Sequence, residues 1–154
     1  MNTYPKIGSV SHGTMRNEDL LETFADELEL MAKPCDHPGN KETYTGIVAK
    51  ARATDPDGAD ASEIISDLFD ALDELAPPYC YFGSHPGDSS DYGFWPDMNS
   101  LECAVQDGEV TKLGGYPDDD AKPGEYMIVN DHGNVTFGYV SLNERKWCTI
   151  WDCV

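Results

Sequence analysis

A chain of 154 residues is long enough for one core of ordinary size, and its 40% hydrophobic and 10% aromatic content excludes global disorder. Asp and Glu number 29 against 10 Lys and Arg, a formal net charge of −19, and a surface of that sign repels nucleic acid and anionic membranes while attracting basic partners. Five cysteines (Cys35, Cys80, Cys103, Cys148, Cys153) form no C-x-x-C pair, the N-terminal stretch has no apolar leader, and no apolar run reaches about 18 residues, so reduced thiols, a cytoplasmic location and no membrane span are expected.

The first predicted element follows Asn17, read as an N-cap. The segment EDLLETFADELELMA places Leu20, Leu21, Phe24, Leu28 and Met31 on one side at helical spacing, and Pro34 ends it. NKETYTGIVAKARA forms a shorter helix with a weaker stripe of Tyr44, Ile47, Val48 and Ala51. TDPDGADA interrupts the chain, and Asp60 and Glu63 then have the spacing of a capping box. The third helix, ASEIISDLFDALDELA, carries Ile65, Leu68, Phe69, Leu72 and Leu75 to the stop at Pro77-Pro78. From Tyr79 the pattern changes to strands. Tyr79 to Gly83 and Tyr92 to Trp95 flank a turn-rich loop. SLECAVQDGEVTKL gives a helical turn and a short strand around Val110, EYMIVN-DHG-NVTFGYV is a hairpin, and KWCTIWDCV is a final strand. The expected fold is α+β: three N-terminal helices packed on an antiparallel sheet of four to five strands. One domain is expected over residues 1–154, with a helical part at about 14–76 and a sheet part at about 79–154.

The stretch YCYFGSHPGDSSDYGFWP invites a chemical reading, because imidazole and carboxylate suit a divalent metal or a proton relay. His85, Asp88 and Asp91 would supply one hairpin tip, and Asp131 and His132 the other. Glycine or proline beside every histidine (His12-Gly13, His37-Pro38-Gly39, His85-Pro86-Gly87, His132-Gly133) instead predicts solvated turns, with several of the six aromatics packed against the helices as core. Other templates fail. His12-Gly13-Thr14 is half of a two-histidine phosphodiesterase pattern whose second copy is missing. DPDGADASE has its glycine, Gly58, at position four of a calcium loop rather than six and would put Ser66 rather than glutamate at position twelve. No nucleotide-binding or hydrolase signature occurs, and Asp118, Asp119 and Asp120 read as a solvated acidic loop. No catalytic set, metal or cofactor is expected.

The acidic residues, by contrast, are ordered. Glu18, Glu22, Asp26 and Glu29 recur at i, i+4, i+8 and i+11 in the first helix. Glu63, Asp67, Asp70 and Glu74 recur at i, i+4, i+7 and i+11 in the third. At roughly 100° per residue each row lies on one narrow face opposite the apolar stripe, and neither row itself contains a lysine or arginine, so each is expected to lack basic partners along its helix. Successive carboxylates rise by roughly 4.5–6 Å. A nucleic-acid strand carries a phosphate per roughly 3.4 Å of axis, and more along its contour. These eight residues are the candidate binding surface.

The segments SVSHGTMRNEDLLETFADEL, PPYCYFGSHPGDSSDYGFWPDMNSLECAVQDGEV and YMIVNDHGNVTF resemble a family of small, uncharacterised proteins associated with phages, plasmids and other mobile elements of prokaryotes. Tyr92-Gly93-Phe94-Trp95-Pro96, close to that family's F-G-F-W-P, and Val129 to Val135 (VNDHGNV) are the most specific parts. The family has no assigned activity, so the resemblance implies a genomic setting and no site residues. Small acidic proteins in that setting block restriction or CRISPR machinery. The expected function is therefore a non-enzymatic acidic inhibitor of a basic, nucleic-acid-binding host protein, acting by charge mimicry without contacting nucleic acid or membrane. Two alternatives remain at this point: a small metal-dependent hydrolase using the hairpin tips, and an immunity-type protein that neutralises a basic toxin.

Overall fold

The computed structural model describes residues 7–33 and 38–153. The element order is β1 (Gly8–Ser11), α1 (Asn17–Ala32), α2 (Pro38–Ala53), α3 (Ala61–Glu74), β2 (Cys80–His85), β3 (Asp88–Pro96), α4 (Met98–Gln106), β4 (Val110–Leu113), β5 (Gly124–Val129), β6 (Val135–Val140) and β7 (Trp147–Cys153). The α+β class and the three N-terminal helices are as expected. The single antiparallel sheet is not: the strands fall into a three-stranded sheet β1-β3-β2 and a four-stranded sheet β4-β5-β6-β7, and β4 pairs parallel to β5. The chain divides into two compact units, Met1–Ala76 with Cys80–Trp95, and Pro77–Tyr79 with Pro96–Val154. Pro34, Cys35 and His37, to which the sequence assigned a helix stop, a thiol and a turn, lie outside the described residues.

In the first unit the three apolar stripes converge as their spacing requires. Leu20, Leu21, Phe24, Ala25 and Leu28 of α1, Tyr44, Val48 and Ala51 of α2, and Leu68, Ala71 and Leu72 of α3 are buried in one cluster with Phe82 and Phe94. Phe82 sits at its centre, with the rings of Phe24, Phe69 and Phe94 at 5.2, 5.2 and 5.1 Å. Tilted and edge-on contacts at that range suit the ring quadrupoles. The segment from Cys80 to Pro96 is thus a hairpin whose Phe82 and Phe94 are core. Its strands run closer to the tip than expected, to His85 and from Asp88, leaving Pro86-Gly87 as the turn and Tyr79 outside it. The Asp73 carboxylate accepts the Phe82 amide at 2.9 Å and ties β2 to α3.

Two helix starts differ from expectation. The residue preceding α1 is Arg16, and no side chain caps that end; Asn17 lies inside the helix and donates through Nδ2 to the Pro56 carbonyl at 3.2 Å. Asp60 precedes α3 in a helical conformation with no side-chain cap, so the Asp60–Glu63 capping box is not formed. A cap needs an extended residue to aim its oxygen back at the first amides, and Asp60 has φ −89° and ψ −9°.

Strand β1 is an element the sequence did not reveal. It pairs antiparallel with β3 (Gly8↔Phe94, Ser9↔Gly93, Ser11↔Tyr92), with a bulge between Ser9 and Ser11. Gly93 permits the pairing, because a Cβ there would overlap the Gly8 carbonyl.

In the second unit α4, capped by the Asp97 side chain on the Ser100 amide at 3.2 Å, supplies buried Leu101 and Ala104. Val110, Met127, Phe137 and Trp151 are buried in the sheet, the last three as direct cross-strand neighbours. The Trp151 indole donates to the Pro78 carbonyl at 2.8 Å, and Tyr79, in a left-handed conformation at φ 58°, packs edge-on against Phe137 at 5.1 Å. The hairpin β5–β6 runs as expected. Asn130 Oδ1 accepts the amides of His132 and Asn134 at 2.9 and 3.0 Å, while Gly133 takes φ 81°.

Candidate functional site

Both acidic rows lie in the first unit, and all eight side chains are exposed. The two rows differ in what surrounds them. Along α1, Glu18 takes an ion pair from Arg16 at 2.7 Å. Arg52, from the last turn of α2, reaches both Asp26 at 3.0 Å and Glu29 at 2.9 Å. The expectation of a row without basic partners is therefore corrected for α1. Spacing along α1 offers Lys33, four residues after Glu29, whereas Arg52 arrives from the helix packed beside it. The hydrogen bonds that Arg52 donates to Glu29 and Asp26 push it above its ordinary range, and the guanidinium holds the Glu29 carboxyl below the usual carboxylate range. Glu18, Glu22 and Asp26 also line a groove of about 380 Å³ with Arg52, Ala51 and Pro56.

The compensation can be tested directly. Glu29 has its lowered value in the folded chain only, so its contribution to stability is present above its unfolded pKa and fades as pH falls through the folded one. In Arg52→Gln the Glu29 midpoint is expected to rise toward the ordinary carboxylate value, as followed by carboxyl-carbon NMR titration. An unmoved midpoint would show that Arg52 does not neutralise the row in solution.

Along α3 the picture is different. Glu74 accepts a hydrogen bond from the Tyr44 hydroxyl at 3.2 Å. Glu63, Asp67 and Asp70 have no ion pair or side-chain hydrogen bond among the described residues. The helix has no basic residue in its last turn, where Asp73 and Glu74 oppose the helix dipole. Asp55, Asp57 and Asp60 extend the exposed acidity into the preceding loop. A sequence signal for this existed: residues 53–111 contain no Lys or Arg at all, so α3 and its flanks have no basic residue of their own.

The histidine-bearing tips resolve into local structure. His85 Nδ1 accepts the Gly87 amide at 2.9 Å, and its ring meets Trp95 edge-on at 4.8 Å. Asp88 accepts from the Ser90 amide and hydroxyl at 3.0 and 2.8 Å. Those two bonds, backbone first, lower its pKa, with small contributions from His12 and His85. Asp91 accepts from the Ser9 hydroxyl at 2.5 Å. His12, which the sequence did not group with these residues, comes within 3.5 Å of Asp88. Asp131 and His132 belong to the second unit. Among the described residues no three His, Cys, Asp or Glu side chains gather to hold a metal ion, and Cys103, Cys148 and Cys153 are free thiols. No described helix is long and apolar enough to cross a membrane.

No protein-family model, curated protein or solved structure matches this chain.

Proposed function

We propose that this chain is a small acidic binding protein of a mobile element, cytoplasmic and without enzymatic activity. It inhibits a basic, nucleic-acid-binding host defence protein by laying carboxylates where phosphates would lie. The observation that carries this reading is the α3 face, where Glu63, Asp67 and Asp70 stand exposed at helical spacing with no ion pair among the described residues. Like charges at i, i+4 destabilise a helix by roughly 0.2–0.5 kcal/mol per pair, and a basic residue on the same face would relieve that cost. A basic groove supplies the missing counter-charge on binding. The α1 row, with Glu22 between two compensated ends, forms the secondary part of the surface.

The metal-hydrolase alternative gains nothing from the geometry, since His85, Asp88 and Asp91 are all engaged in bonds of their own sheet. An immunity-type role would use the same acidic face against a toxin, and the identity of the captured partner separates the two.

The test is capture of partners from a prokaryotic host lysate at low and high salt, followed by nucleic-acid competition against the partner found. The screening length shortens from roughly 30 Å at 0.01 M to 3 Å at 1 M, so a charge-driven complex is expected to weaken steeply with salt and to exclude nucleic acid from the partner. A partner retained equally at both salt concentrations, or one that binds this protein and nucleic acid together, would overturn the reading.

A further inference from the structure

A second concave surface, in the unit that does not carry the acidic rows, has a different chemistry. The end of β4, the loop after it and Tyr126 of β5 border an open depression of about 470 Å³, with Tyr116, Tyr126 and Asp118 among its walls and no lysine or arginine lining it. Tyr116 is 68% exposed, an unusual position for a large aromatic residue.

Its ring is nonetheless held. Trp147 meets Tyr116 at 5.9 Å and 76°, and meets Tyr126 at 6.5 Å and 71°, so three rings stand nearly perpendicular in pairs. Each support is itself fixed. The Tyr126 hydroxyl donates to the Lys122 carbonyl at 2.7 Å, and the Trp147 indole donates to the Thr149 hydroxyl at 2.9 Å. The six-membered ring of Trp147 lies over Gly138, where a Cβ would come within 2.6 Å of it. Glycine at 138 is therefore what lets the indole lie flat against the sheet and brace both tyrosines.

We propose that this concavity binds a weakly hydrated organic cation, of the quaternary ammonium class. Aromatic faces carry negative potential and attract such cations within about 6 Å of the ring centroid. The Asp118 carboxylate on the wall adds charge of the required sign, and its Oδ1 already accepts the Asp120 amide at 3.2 Å, which fixes its orientation. A primary ammonium would surrender more hydration than one wall carboxylate replaces, whereas an alkylated one loses little. An anion needs a basic wall, which the lining lacks, and a neutral sugar would find the Thr111 and Tyr116 hydroxyls and the Asp118 carboxylate but no amide side chain. This inference is independent of the acidic-face reading and survives its failure.

The probe is choline, followed by the indole proton–nitrogen NMR signal of Trp147, identified by its disappearance in Trp147→Phe. Choline is expected to move that signal saturably, with a Kd on the order of 1 mM, and to leave Trp95 unmoved. The neutral isostere of choline, with a tert-butyl group in place of trimethylammonium, is expected to bind at least about tenfold more weakly. Tyr116→Phe retains binding, because the ring face is preserved. Tyr116→Ala removes it in a chain whose remaining spectrum is unchanged, as expected for so exposed a residue. Equal affinity for the neutral isostere, saturable binding that survives Tyr116→Ala, or no saturable shift with choline each overturns the proposal.

Discussion

Replacing Phe82 with alanine is expected to be the most damaging single truncation in the first unit, with a loss of about 3–5 kcal/mol. Phe82 is 2% exposed and is the one ring that touches Phe24 from α1, Phe69 from α3 and Phe94 from the neighbouring strand. Removing it opens a cavity among three aromatic rings. Large rings relax poorly into such a space, so the lost transfer energy and the cavity term add. Domains of this size are stable by only about 5–15 kcal/mol, and the melting temperature is expected to fall by more than about 12 °C. Urea unfolding followed by circular dichroism measures the loss. Phe82→Leu, which keeps most of the volume, should cost clearly less. A loss below about 1 kcal/mol for Phe82→Ala would mean that this cluster is not the core of the unit.

That cluster also shows what the sequence made legible. The helical stripes were readable because Leu20, Leu21, Phe24 and Leu28, like Leu68 and Leu72, repeat at the period of the helix that buries them. Both hairpins were readable because each has a turn rich in Gly, Asp or Asn between strand-forming segments. Strand β1 was not, because four residues, two of them serine, carry no alternation strong enough to register; its place depends on Gly93 across the sheet. Nor was the division of the strands between two sheets. Neighbour choice is a long-range property, and the parallel pairing of Val110–Leu113 with Glu125–Ile128 leaves no local mark on either segment. Of the candidate surface, the periodicity of the carboxylates was visible and their exposure followed. Local compensation, by Arg16 beside Glu18 and Lys33 four residues after Glu29, was legible. That by Arg52 was not, because Arg52 is distant in sequence from Asp26 and Glu29 and meets them only through the packing of α1 on α2. The contact of Trp147 with Tyr116 and Tyr126 was hidden for the same reason.

The unequal compensation of the two rows sets the largest expected effect on binding. Reversing the α3 row (Glu63→Lys, Asp67→Lys, Asp70→Lys, Glu74→Lys) replaces four carboxylates with four ammonium groups on a face with no basic residue of its own. Steering by a charged surface raises association rates by about 10–10³, and that gain should turn into repulsion against a basic partner. The loss is expected mainly in the association rate and at least tenfold at low salt, shrinking as salt is added. Folding should persist, since Leu68, Ala71 and Leu72 on the opposite face are untouched and only the Tyr44–Glu74 hydrogen bond is given up. Reversing the α1 row is the informative contrast. Lysines at Asp26 and Glu29 would face Arg52, and a lysine at Glu18 would face Arg16, so that variant should lose stability as well as binding. Stopped-flow association at several salt concentrations, alongside thermal melts of both variants, reads the two effects separately. If the α3 variant folds and associates at the wild-type rate, its carboxylates are an ordinary solvated face. The binding surface must then be sought elsewhere, beginning with the hairpin from Cys80 to Trp95.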